Sequence, residues 1–114
     1  MKKLQERMHF ANFFIAGFNY YDGCMAWEEL KVGAKLELVR DEYNKVDVNA
    51  VAIYCNDWKL GYVPAQENEM LAKFLDMGYD DVFEVRVQRL NEDAHPANQV
   101  GVIVYINRNK NKED

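Results

Sequence analysis

Tyr20 and Tyr21 lie side by side in the stretch GFNYYDG, where Gly17 and Gly23 permit sharp backbone turns at both ends. Adjacent residues of an extended segment point to opposite sides. Two readings of the pair follow. One ring caps the core while the other lies on the surface, or the two form an aromatic platform for a base or sugar, their hydroxyls available to a phosphate. A second stretch, Asn44 to Asn49 (NKVDVN), is a polar loop of residue types that hydrogen-bond their own backbone and favour turns. It sits on the lip of a tight hairpin, and polar loops held by rigid strands are a common place for function.

Other chemistries have little to build on. His9 and His95 are far apart in sequence, with no carboxylate or thiol at ligand spacing, so no metal site is expected. No nucleophile–base pair or phosphate loop is visible, and the expectation is a non-enzyme without a cofactor. Cys24 and Cys55 lack CxxC spacing, which favours a reduced, intracellular pair. No apolar segment follows Lys2 and Lys3, and no run reaches membrane-spanning length, so a cytoplasmic protein without membrane contact is expected. With 49% hydrophobic and 29% charged residues over 114 positions, the chain suits one soluble domain able to bury a core unaided. Its formal net charge of −5 excludes a broad nucleic-acid-coating surface, because such surfaces are basic. Nucleic acid could be held only through a small local site.

The elements that must position these residues are mostly strands. His9–Ala16 is more apolar than a half-exposed strand needs, which places it inside a curled or closed sheet. Ala34–Arg40 alternates with one wet face. Ala50–Cys55 is a short buried strand, Asn56–Asp57 a two-residue turn whose residues tolerate positive φ, and Trp58–Val63 the returning partner. Gly61 within it predicts a bulge or a close backbone approach, and Pro64 ends the pairing. Met70, Leu71, Phe74 and Leu75 recur at helical spacing, predicting one principal helix over Gln66–Met77 that stops at Gly78. Val82–Leu90 and Gln99–Ile106 complete the strands. Cys24–Val32 reads as a short strand or a turn of helix. Residues 1–8 are expected as an extension, 9–107 as the domain, and 108–114 as a disordered polar tail.

Taken together, GFNYYDG, NKVDVNAVAIY and KLGYVP resemble the HIRAN domain over Phe13 to Val104. The resemblance implies a mainly β (α+β) fold, an OB-like curled antiparallel barrel of about six strands with one principal helix. It further implies binding of the 3′-hydroxyl end of single-stranded DNA, in settings that include DNA repair. Tyr20 and Tyr21 match the paired aromatics that contact terminal nucleotides, Asp47 matches the acidic residue that meets the 3′-hydroxyl, and Asn44 opens that loop. Tyr62 stands where family members can carry a His, Ala65 where they can carry a Lys, and Asn19 where they place a basic residue. Lys45 and Val46 replace a Pro-aromatic pair. Fewer cations imply weaker phosphate binding, and the alternative is a protein–protein interaction module built on the same barrel.

Overall fold

The computed structural model describes residues 3–112. Six antiparallel strands form one sheet: β1 (Arg7–Phe14), β2 (Lys35–Arg40), β3 (Val51–Cys55), β4 (Trp58–Tyr62), β5 (Phe83–Leu90) and β6 (Val100–Asn107). Their order is β1-β6-β5-β2-β3-β4. The fold is mainly β and OB-like, but the sheet is not closed. β1 and β4 are its two edges, and one isolated antiparallel bridge, Ala16 to Tyr62, spans the gap between them. Among the described residues there are also two short α-helices, α1 (Gly23–Ala26) and α2 (Glu69–Asp76), and five 3₁₀ turns.

Alternation explains the core. Val100, Val102 and Val104 of β6 and Val85 and Val87 of β5 point inward and are buried. They meet Phe13 and Ile15 from the first strand and Val51, Ile53, Leu60 and Leu71 from the opposite side. The aromatic surplus of β1 is resolved by a register shift between His9 and Ala11. The extra residue, Phe10, packs its ring 5.3 Å from that of Phe83. Cys24 is exposed, Cys55 is buried, and both are free thiols.

Three boundaries differ from expectation. β1 begins at Arg7, within the segment read as an extension, and pairs there with Asn107. Arg108, placed in the disordered tail, donates its backbone N–H to Glu6 and forms an ion pair with it; Glu113 and Asp114 of that tail lie outside the described residues. The principal helix is shorter than Gln66–Met77 because its first turn is a separate 3₁₀ turn, Ala65–Glu67. Asn68 follows it, buried, and spends its side chain on a distant loop instead of capping α2.

Candidate nucleic-acid interface

β4 is an edge strand, and an edge leaves backbone donors and acceptors without partners. The tyrosine stretch fills them. Ala16 exchanges two backbone hydrogen bonds with Tyr62, at 2.8 and 2.9 Å. Asp22 then donates its N–H to the Lys59 carbonyl at 2.8 Å and accepts the Lys59 N–H on its carboxylate at 3.0 Å. The segment between is thus stapled to β4 at both ends. Gly17 adopts φ 72° and accepts the Tyr20 N–H, turning the chain tightly. A side chain at Gly17 would meet both tyrosine rings, the Tyr21 ring at 3.5 Å and the Tyr20 ring at 3.8 Å. Both rings stay accessible: Tyr20 is 79% exposed and Tyr21 40%.

Lys59 and Tyr62 are three residues apart on one strand, and simple alternation would send them to opposite faces. The bulge expected at Gly61 changes that. Ile53 pairs with Gly61 while Tyr54 pairs with Lys59, leaving Leu60 as the extra residue. Lys59 therefore lies opposite Tyr54 and Tyr62 opposite Ala52, two positions on one face of β3. Gly61 has φ 147°, and a Cβ there would lie 2.4 Å from the Ala16 carbonyl oxygen, so the bulge and the close approach coincide.

On that face a line of contacts forms. Lys59 Nζ lies 4.5 Å from the ring centroids of both Tyr21 and Tyr62 and donates to the Tyr62 hydroxyl at 2.8 Å. Tyr62 in turn donates to Asp41 Oδ2 at 2.5 Å, and Asn44 Nδ2 donates to the same oxygen at 3.2 Å. The Tyr21 and Tyr62 rings meet edge to face, 5.8 Å apart. These contacts set the ionisation of the group. The Tyr62 and Asn44 hydrogen bonds hold the Asp41 carboxyl below the usual carboxylate range. Burial alone would lower Lys59, but the bond to Tyr62 and the phenols of Tyr62, Tyr21 and Tyr54 outweigh it and raise it. Tyr62 is pushed up by burial and by its bond to Asp41.

The polar loop is held from three directions. Asn44 Oδ1 accepts the backbone N–H of Val46 and of Asp47, each at 2.9 Å. Asp47 accepts the Asn49 N–H on Oδ1 at 2.9 Å and the Asn68 amide on Oδ2 at 2.8 Å. Arg40 reaches beneath, donating to the carbonyls of Ala50 and Val48 and to Asp76 of α2.

Of the residues singled out from the sequence, Tyr21, Tyr62 and Asn44 join one network through Lys59 and Asp41. Tyr20 adjoins them across Gly17. Asp47 connects to this network through its backbone, while its carboxylate faces Asn49 and Asn68. Lys59, Asp41, Asp22 and Asn68 are the residues sequence reasoning passed over. The Gly61 bulge was the available signal for Lys59. The interface is an open face; a groove of about 620 Å³ lined by Phe14, Val32 and Arg89 lies away from it, as do two others. One, of about 460 Å³, is lined by residues of β2, β5 and the Asp80–Asp81 turn. The other, also about 460 Å³, lies between the two chain ends. His9 bonds Asn12 and His95 accepts the Ala97 N–H, each a local role. Among the described residues no helix is long and apolar enough to cross a membrane.

No curated protein matches the chain. Among solved structures, a protein from Lactobacillus plantarum is similar at 22% identity and TM-score 0.74, covering 88% of this chain and 94% of that one. The HIRAN domain of human HLTF is similar at 18% identity and TM-score 0.61, covering 93% of this chain and 84% of that one. At such identities the likeness shows a shared fold. The HIRAN domain profile matches residues 8–109, nearly the whole length, so this chain belongs to the HIRAN domain family.

Proposed function

We propose that this domain is a non-enzymatic nucleic-acid-binding module that holds the 3′-hydroxyl end of single-stranded DNA. The observation that carries the reading is that Tyr20 and Tyr21 remain exposed on a stapled turn, beside a polar loop braced by the side chains of Asn44, Asp47 and Asn68. Rings that only capped the core would be covered. Stacking contributes about 1–3 kcal/mol per base and does not depend on a basic face, which suits an acidic chain. Asp47 takes the terminal hydroxyl. Its two hydrogen bonds leave lone pairs on both oxygens, and a carboxylate accepts a hydroxyl proton while repelling a phosphate.

The test is a titration of labelled short oligonucleotides that differ only in ending with a 3′-hydroxyl or a 3′-phosphate. The hydroxyl end is expected to bind more tightly, with Tyr20→Ala and Tyr21→Ala each weakening both strands. Asp47→Asn is expected to shrink the preference by more than it lowers stability. Equal binding of both ends by the parent protein excludes hydroxyl reading.

A second reading has its own observation. Tyr43, Val46 and Val48 are 85%, 97% and 81% exposed on the same braced loop. Apolar side chains presented rigidly to solvent suit a protein partner. Failure of every oligonucleotide to bind at low salt, with a partner protein lost on Val46→Asp, would favour this reading over the first.

A further inference from the structure

Lysine side chains are long, strongly hydrated and costly to immobilise. Among the described residues Lys59 is the one lysine that is not exposed. It is also held without a direct ion pair: no carboxylate among the described residues lies within ion-pair distance of its ammonium, Asp41 being reached only through the Tyr62 hydroxyl, whereas Arg7, Arg40, Lys73, Arg86 and Arg108 are all paired. Two tyrosine rings and one phenol oxygen fix its position instead. An ammonium has three donors, and the Tyr62 hydroxyl uses one. Partly desolvating and fixing a cation beside the exposed Tyr21 ring, with donors to spare, is the arrangement an incoming anion completes.

We propose that Lys59 forms a subsite for one phosphate of the bound strand, next to the bases stacked on Tyr20 and Tyr21. The inference rests on the end-binding reading and assigns its phosphate contact. Other cations do not compete for the role. The Arg40 guanidinium is committed to Asp76 and to the Val48 and Ala50 carbonyls. Lys45 is exposed on the loop and free to stay hydrated. The Tyr62–Asp41 bond matters here as well. Asp41 draws the phenol proton toward itself, leaving the Tyr62 oxygen lone pairs to face Lys59. The ammonium is thereby aimed through a neutral phenol, and the Asp41 carboxylate, which feels its charge, stays on the far side of that phenol oxygen. A single fixed cation also accords with the net charge of −5, since one local contact does not need a basic surface.

The experiment is a cycle between protein and strand. Parent and Lys59→Gln are titrated with short oligothymidines that carry one uncharged methylphosphonate linkage, moved stepwise from the 3′ end. For the parent, neutralising one of the two terminal linkages should weaken binding about three- to tenfold more than neutralising the rest. For Lys59→Gln, that position should lose its special effect. The log–log salt slope should become shallower by about 0.7, the value for one phosphate on a single strand. Lys59→Arg should retain the slope, and it separates charge from packing if Lys59→Gln melts early. Two results overturn the subsite while leaving end binding intact. One is a parent whose methylphosphonate scan is flat; the other is Lys59→Gln with unchanged slope. Inorganic phosphate, titrated at constant ionic strength, is the control for a free-anion site. If it displaces the strand from the parent as well as unlabelled strand does, the phosphodiester assignment is overturned. A parent that binds no oligonucleotide ends the end-binding reading and the subsite with it.

Discussion

Asp22 and Lys59 hold each other by two hydrogen bonds, backbone to backbone at 2.8 Å and carboxylate to backbone at 3.0 Å. This pairing converts an exposed sheet edge into the floor of the tyrosine turn. Only one of the two bonds depends on the side chain. Asp22→Ala should therefore cost about 1–2 kcal/mol in a urea melt. Amide exchange at Tyr20 and Tyr21 should speed up more than exchange in β5 and β6. Uniform acceleration across the sheet would mean that Asp22 supports the whole fold and not the turn.

Asn68 is 2% exposed and donates to Asp47 across 2.8 Å. Asn68→Ala removes the donor and opens space in a buried position, so a loss of about 1–3 kcal/mol is expected. Asp47→Asn is gentler. Its new amide would face the Asn68 amide, but Asn68 can rotate its own amide by half a turn and accept. A cost of about 1 kcal/mol follows, from the lost charge assistance. A thermal melt of both variants checks the order; a larger loss for Asp47→Asn than for Asn68→Ala contradicts it.

Gly61→Ala is expected to be the most damaging single methyl in the domain. The added carbon would meet the Ala16 carbonyl oxygen at 2.4 Å and Ile15 at 2.7 Å, at a backbone angle that side chains rarely adopt. Strain and overpacking together predict a loss of at least about 2 kcal/mol. A denaturant midpoint indistinguishable from the parent would show that the seam yields easily.

Acid should weaken the interface in a defined way. Asp41 titrates below its usual 3.8 when folded, chiefly through the Tyr62 hydroxyl and then Asn44. A carboxyl lowered by folding contributes stability that is present above the unfolded value and lost as pH falls through the folded one. Asp76 and Glu84 are lowered too, by Arg40 and by Arg86 with Arg7. Melting temperature should hardly change from neutral pH to about 5 and decline below about 4. Tyr62→Phe deletes the largest support of Asp41, so its decline should be shallower than the parent's. An identical acid limb in the two proteins would remove Asp41 from the account.

The strands were legible in the sequence because a period of two survives in β2, β5 and β6, while β3 is a short apolar run bounded by turn residues. Each was placed within two residues of its observed ends, as with Val82–Leu90 against Phe83–Leu90. The principal helix was overextended because hydrophobic spacing does not register that Asn68 turns away to meet Asp47. Tyr20, Tyr21 and the Asn44–Asp47 loop stood out by residue type. Lys59 and Asp41 did not, since alternation puts Lys59 and Tyr62 on opposite faces and only the extra Leu60 brings them together. Long-range pairings such as Asp22 with Lys59 leave no local pattern to read.

Six strands arranged in a ring would have six joints. Here five are ladders, and in place of the sixth the sheet stays open, spanned only by the pair of hydrogen bonds between Ala16, just past β1, and Tyr62 of β4. A ring with one slender joint parts there first, like a bracelet at its clasp. Tyr62 is both half of that clasp and the residue that aims Lys59. A strand gripped by the interface would therefore fasten the domain, and the Ala16 and Tyr62 amides would carry the signal as slower hydrogen exchange.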